Sequence, residues 1–363
     1  MVHVIVDILI PDRLFMSVLI RMIEQHWQKP KWYLTALLWP LSRLFQAIAA
    51  IRRWLYRTGI LKTTRLPCSV IVVGNIHAGG VGKTPIVAAL VRELQAQHIH
   101  VGIISRGYGR ESRETLLVNE HSQAKEVGDE PLMLYRQTGV PVAVGRSRLE
   151  AAKKLLTAKP EIQLLISDDG LQHYALARDI EIVVFPMQDQ HKQLDLLPNG
   201  PLRESVTRLS EVDAMILSQN ESQEQAIPSH KFPFVSATIP CITSKITYSA
   251  FYCLQQPNKT ALAADFMHRQ CAAVAAIGRP ERFFQALKQQ GLVLCTERIL
   301  PDHAKIRTDD WPEAEVVFIT EKDAVKLTHT LADKPEIWVL PLSIKLEGNL
   351  TAMIMAKLNL PAV

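Results

Sequence analysis

The sequence predicts an α/β protein: a parallel-sheet domain carrying a phosphate-binding turn, followed by a smaller C-terminal α/β domain. Three observations lead there. A buried β-branched run ends in a glycine-rich turn, an apolar strand ends in paired aspartates, and strand-like and helix-like segments alternate to the end of the chain. At 363 residues, with 48% hydrophobic side chains, the chain has the length of two domains and no like-charge or low-complexity block that would argue for disorder. The net charge of +5 is modest and gathers near the N-terminus, at Lys29, Lys31, Arg43, Arg52, Arg53, Arg57, Lys62 and Arg65. That pattern favours an anionic surface close by over general nucleic-acid binding. The five cysteines are scattered without a C-x-x-C pair and are expected to be reduced, buried and structural, as in a cytoplasmic protein.

Four of the six tryptophans fall at Trp27, Trp32, Trp39 and Trp54. Between Trp32 and Ile51 only Arg43 is charged, and a helix of that length reaches about 30 Å, the thickness of a bilayer core. Basic flanks, amphipathic aromatics and the interrupting Pro40 fit a short inserted helix, or a kinked helix lying among headgroups. Arg43 disfavours a lipid-exposed span, so shallow or partial insertion is expected. An apolar helix packed on the globular domain is the alternative. Residues 1–21 are broken by Asp7, Pro11, Asp12 and Arg13 and lack the features of a signal peptide, so they read as a non-native or dispensable extension. The expected segments are then 1–21, a membrane-associated helix at 22–62, a nucleotide domain at 63–225 and the smaller domain at 226–363.

Residues 69–85 read S-V-I-V-V-G-N-I-H-A-G-G-V-G-K-T-P. A strand ending near Val73 and a helix starting near Thr84 aim backbone N–H groups into the turn, and the Lys83 ammonium adds a fixed cation, which suits a triphosphate. Gly79, Gly80, Val81, Gly82, Lys83, Thr84 and Pro85 are the candidate nucleotide contacts, with glycine expected at 79, 80 and 82 because the turn takes positive φ. The turn is a variant form, because His77 stands where the strict phosphate-loop pattern has its first glycine.

Further along, S-R-G-Y-G-R (105–110) follows a strand, V-G-D-E-P (127–131) starts a helix with Asp129 and Glu130 in its first turn, and Gly145-Arg146-Ser147-Arg148 follows another strand. The stretch E-I-Q-L-L-I-S-D-D-G-L-Q-H (161–173) ends a strand in Asp168 and Asp169, as the acidic strand that holds Mg²⁺ does in phosphate-loop enzymes. A Pro/Gly-rich loop, L-L-P-N-G-P-L-R-E (196–204), carries an Arg203–Glu204 pair readable as a surface ion pair. The second half alternates strands near 272–277, 292–296 and 316–320 with a helix at 281–290, and Pro301-Asp302-His303 lies between. Thr320-Glu321-Lys322-Asp323 has the wrong spacing for a guanine-reading motif, which favours ATP over GTP.

The ordered motifs G-N-I-x-A-G-G-x-G-K-T-P, S-R-G-Y-G, G-D-E-P, D-D-G-L-Q-H, P-x-G-P-L-R-E and T-E-K-D-A-V-K closely resemble those of the tetraacyldisaccharide 4′-kinases of lipid A biosynthesis, from about Met22 to the C-terminus. The resemblance implies an enzyme on the cytoplasmic face of the bacterial inner membrane. It would move the γ-phosphate of ATP, with Mg²⁺, to the 4′-hydroxyl of a tetraacyldisaccharide 1-phosphate, and two linked α/β lobes would enclose its site. It further implies Lys83 on the β/γ-phosphates, Thr84, Asp168 and Asp169 at the metal, and Asp129 as general base partnered by His303 from the other lobe on closure. Arg146, Arg148 and Arg203 become candidate charge stabilisers, and Arg106, Tyr108, Gln172 and His173 candidate substrate contacts. A membrane-associated NTPase switch would leave the carboxylate–histidine pair without a task, and a non-catalytic scaffold would leave Lys83 and the aspartates unexplained.

Overall fold

The computed structural model describes residues 13–189, 192–219, 239–327 and 335–360. Two helices come first, α1 (Arg13–Gln28) and α2 (Trp32–Arg57). Pro30 separates them, since it has no N–H and disfavours helix in the residue before it. Helix α1 runs through the expected 21/22 boundary, while residues 1–12 lie outside the described residues. One face of α2 packs on the domain through Leu38, Ser42 and Phe45; the other exposes Trp32, Leu37, Trp39, Leu44, Ile48, Ile51 and Trp54.

The first domain continues with β1 (Ser69–Gly74), α3 (Lys83–Ala96), β2 (Val101–Ser105), β3 (Leu116–Leu117), α4 (Ala124–Val127), α5 (Asp129–Thr138), β4 (Val142–Val144), α6 (Arg148–Ala158), β5 (Leu164–Asp168), β6 (Ile180–Pro186) and β7 (Ala214–Ser218). The rest comprises β8 (Cys241–Tyr248), β9 (Phe251–Cys253), β10 (Thr260–Ala261), β11 (Cys271–Ala275), α7 (Pro280–Gln289), β12 (Leu294–Ile299), β13 (Val316–Thr320), α8 (Glu321–Ala324), β14 (Glu336–Leu340), β15 (Leu342–Glu347) and α9 (Leu350–Leu358). Strands β1, β2 and β4–β7 are near-continuous apolar runs because helices cover both faces of their sheet.

These strands form two sheets. The larger has the order β15-β8-β7-β6-β1-β5-β2-β4-β3, parallel from β8 to β4 with antiparallel strands at both edges. The smaller has the order β10-β9-β14-β13-β11-β12, with its last four strands parallel. The expected 225/226 boundary does not coincide with this division. Strands β8 and β15 complete the first sheet, and Ile242, Leu346, Leu350 and Ile354 are buried in its core with the apolar face of α3. The second lobe is therefore an insertion between β8 and β15, a return that composition along the chain does not reveal. The cysteine expectation needs correction too. All five are free, but Cys241 and Cys295 are exposed, the one opening β8 and the other on the edge strand β12.

The second lobe is held by Phe251, Phe266, Phe318 and Trp338, whose rings meet edge-on at centroid separations of 5.0 to 5.7 Å. Phe318, fully buried, meets Phe251 and Phe266 and lies on the strand that leads to α8. Phe318→Ala is expected to cost about 3–5 kcal/mol in a urea titration, the usual price of emptying a buried aromatic site. A cost under about 1 kcal/mol would mean that the cluster does not hold the lobe.

Candidate active site

Strand β1 ends and α3 begins at the carboxyl edge of the larger sheet, where open parallel sheets bind ligands. Gly82 caps α3 with φ +80° and Gly79 has φ +104°, conformations that strain any other residue. Gly80 departs from expectation. Its φ is not positive and a Cβ would meet nothing within 4 Å, because the two left-handed residues already reverse the chain. Val81 and Thr84 are buried, and Pro85 sits in the first turn of α3, where a missing N–H breaks no helical bond.

Lys83 Nζ donates to Asn75 Oδ1 at 3.1 Å and lies 3.3 Å from Asp169 Oδ1. Asn75 is fully buried, and its Nδ2 donates to His77 O and Gly79 O. It fastens the lysine to the turn, a role its position directly after the strand-ending Gly74 could have signalled. His77 packs edge-on to Phe185 and faces Asp189 at 3.4 Å.

Asp168 ends β5 beside Val73, and Asp169 follows with φ +48°, strained for a residue with a side chain. Arg148 braces that turn. Its buried Nη2 donates to the carbonyls of Asp168 and Asp169, each at 3.1 Å. The structure thus turns Arg148 onto backbone rather than toward transferring charge, and burial lowers its pKa only to about 10, leaving it a cation at neutral pH. Arg203 does reach the site, with Nη1 3.3 Å from Asp169 Oδ2. The expected Arg203–Glu204 surface pair is not formed. Glu204 turns inward to accept from Gln172 Nε2 and Tyr174 Oη, each at 2.8 Å. Gln172 also donates to Asn75 O, so it bridges two turns of the site.

The charges are unequal. Burial would raise the Asp169 carboxyl, but Lys83 and then Arg203 outweigh it and hold the pKa at about 2. Burial first, then the Glu130 charge, pushes Asp168 up to about 7, and its Oδ1 has no hydrogen-bond partner among the described residues. A buried carboxylate oxygen without a hydrogen-bond partner, next in sequence to Asp169, fits a hard divalent cation. No cluster of three or more His, Cys, Asp or Glu among the described residues could hold one alone. Waters and phosphate oxygens would complete its shell, as is usual for Mg²⁺.

The second constellation comes from the other lobe. His303 Nδ1 lies 2.9 Å from Asp129 Oδ2, and Lys322 Nζ lies 3.4 Å from His303 Nε2, an arrangement that assigns the Nδ1–H tautomer donating to the carboxylate. The two side chains meet with the lobes as they stand, so closure around substrates is not needed to form the contact. Gly107 and Gly128 make it possible. A Cβ on Gly107 would fall 2.6 Å from Val127 O, and one on Gly128 3.0 Å from Gly107 Cα, so the S-R-G-Y-G loop lies directly on the turn that starts α5. Tyr108 thereby reaches His303, ring centroids 5.4 Å apart. Behind the histidine, buried Lys326 donates to Asp323 Oδ1 at 2.7 Å and to Ala276 O at 3.0 Å, and lies 3.9 Å from Asp129 Oδ2. Lys322, Asp323 and Lys326 were missed as functional residues, although the T-E-K-D-A-V-K run carries all three. Arg106 and Arg146 are exposed at the same edge.

Comparisons with known proteins agree with this geometry. A family model for tetraacyldisaccharide-1-P 4′-kinase matches residues 34–359. The chain belongs to that family. A tetraacyldisaccharide 4′-kinase of Neisseria meningitidis is 47% identical over 338 residues, 93% of this chain and 95% of the relative. One from Chromobacterium violaceum is 43% identical over 343 residues, 93% and 98% respectively. Among solved structures, that of LpxK from Aquifex aeolicus in complex with ATP superposes with a TM-score of 0.75 at 29% identity, covering 90% of this chain and 99% of that one. The family's fold is thus the fold seen here.

His173 supplies a pH test. Burial first, then Arg148 and Arg178, lowers its pKa from 6.5 to about 4, so the folded state favours the neutral ring more than the unfolded chain does. Its contribution is complete above pH 6.5 and is lost as pH falls toward 4. Thermal melts across that window are expected to show wild type losing more stability than His173→Gln; parallel curves would contradict the depressed pKa.

Proposed function

We propose that this chain transfers the γ-phosphate of ATP to the 4′-hydroxyl of a tetraacyldisaccharide 1-phosphate, the lipid A precursor, at the cytoplasmic face of a bacterial inner membrane. The observation that carries the reading is the His303–Asp129 contact beside the Lys83–Asp168–Asp169 cluster. Glu130, next to Asp129, is close enough to Asp168 to raise its pKa, so the two clusters are near neighbours. A nucleotide-only switch has no use for a base held by a second lobe.

In this reading Lys83 and the turn's N–H groups hold the β- and γ-phosphates, and Arg203 adds charge where the phosphoryl oxygens lie. A Mg²⁺ ion held by Asp168, Asp169 and Thr84 would neutralise phosphate charge. Asp129 accepts the proton of the attacking hydroxyl. His303 fixes the rotamer of that carboxylate through Nδ1–H, and Lys322 fixes His303 in turn. Phosphoryl transfer passes through a loose transition state, so the base acts late and positioning dominates.

The test is transfer of labelled γ-phosphate to detergent-dispersed acceptor. Lys83→Ala is expected to lose about 10²–10³ in rate. Asp129→Asn is expected to lower kcat by about 10²–10⁴ with little change in the ATP KM. His303→Ala does the same more mildly, and the double variant is no worse than Asp129→Asn alone, because residues acting as a unit are not additive. Fully multiplicative losses would make the two residues independent, and wild-type turnover in Lys83→Ala would end the kinase reading.

The membrane surface is assigned to α2. It is the one described helix long and apolar enough to cross a bilayer, yet it lies along the domain, with Arg43 paired to Asp195 and Arg53 to Glu211. Those pairs favour shallow seating of its exposed face over a lipid-surrounded span. Combined Leu37→Gln, Leu44→Gln and Ile48→Gln, all at exposed positions, are expected to release the protein from sedimented membranes without changing its melting temperature. Full retention in the membrane fraction would exclude that face.

A further inference from the structure

The 195–204 loop joins two regions that the sequence keeps far apart. On one side the N-terminal helices grip it. Ser42 Oγ, fully buried in α2, donates to Leu196 O at 2.9 Å and accepts from the Asn199 N–H at 3.0 Å. Arg43 pairs with Asp195, Trp27 Nε1–H donates to Pro198 O at 2.9 Å, and His26 Nε2 lies 3.1 Å from Asn199 Oδ1. On the other side the loop is fastened to the phosphate-binding turn. The Ala78 N–H donates to Pro201 O and the Arg203 N–H to Ile76 O, both at 2.6 Å, and the Arg203 guanidinium continues to Asp169.

Between these ends the loop has little freedom. Asp195 Oδ1 accepts from the Leu196 N–H at 2.7 Å and Oδ2 from Asn199 Nδ2 at 2.8 Å. Backbone bonds from Gly200 to Leu196 O, Leu202 to Asp195 O and Leu197 to Leu202 O cross it. A Cβ at residue 200 would fall 2.2 Å from Asp195 O, so only glycine closes it. A segment cross-linked in this way passes a displacement at one end to the other instead of absorbing it.

We propose that Ser42, Arg43 and Asp195 are positioning residues for phosphoryl transfer. Helix α2 acts as a template: through the 195–204 loop it sets the Arg203 guanidinium and the Ala78 end of the phosphate-binding turn. The consequence for activity rests on the kinase reading above. Ser42 is the sharpest case, since an alanine there would favour the helix yet leave Leu196 O and the Asn199 N–H buried without partners.

The experiment uses the full chain with detergent-dispersed acceptor, so that membrane anchoring does not limit the rate. Ser42→Ala is expected to lower kcat by about two- to thirtyfold, the range reported for residues that act through others. The acceptor KM and the membrane-bound fraction stay at wild-type values. Amide hydrogen exchange at Ala78 and Arg203 is expected to quicken in Ser42→Ala and in the isosteric Asp195→Asn, and to return toward wild type in Ser42→Thr, which keeps the hydroxyl. Asp195→Asn carries the test if Ser42→Thr does not fold. Unchanged exchange at both amides in Ser42→Ala and Asp195→Asn overturns the proposal, as does wild-type kcat in both variants. Exchange needs no turnover: faster exchange with no transfer by the wild-type protein would remove the kinase reading and keep the coupling.

Discussion

A hydrogen bond from His303 to Asp129 joins the two lobes, with the Lys326–Asp129 and Lys322–Glu130 ion pairs beside it. It spans 174 residues of sequence, and much of the surrounding structure exists to let it form. The close approach of Gly107 and Gly128 brings the Asp129 turn forward, while the buried Lys326–Asp323 pair and the Ala276 carbonyl hold the histidine loop from behind. His303 itself takes φ +64°, an uncommon conformation for a residue with a side chain, and its N–H donates to Ala276 O. Backbone strain at such a point persists because the lobe over-determines it.

The arginines divide by what lies within reach. Arg203 meets a carboxylate at the mouth of the site, whereas Arg148 is spent on two carbonyls of the strained Asp168–Asp169 turn. Both follow strands or loops at the same edge of the sheet, and both read in sequence as cations near phosphates. The difference is burial. A guanidinium in the core must satisfy its donors locally, and carbonyls freed by a left-handed aspartate are the nearest acceptors.

Much of the fold was legible because its signals are local. The apolar run before Gly74, the glycine turn and the strand ending in Asp168 each declare themselves within a dozen residues, and the structure puts them on adjacent strands. The Asp129–His303 pairing was legible only through family resemblance, since no local pattern links residues so far apart. What stayed hidden depends on return of the chain. Neither the place of β8 and β15 in the first sheet nor the grip of Ser42 on Leu196 has a periodicity or spacing to betray it. Glu204 misled for a related reason: a polar residue in a Pro/Gly-rich loop looks solvent-facing until the loop is seen folded onto the core.

The return of the chain through β15 and α9 has a consequence for how this protein is made. Helix α9 packs on the helix that follows the phosphate-binding turn, with Thr351 Oγ1 donating to Glu93 Oε2 at 2.6 Å. The core behind the nucleotide turn therefore stays open until β15 and α9 have been made. During synthesis the inserted lobe has all its strands before the sheet that hosts it is complete. Until then the apolar face of α3 that β15 and α9 cover stays exposed, so closure of the host core waits on a segment made after the inserted lobe.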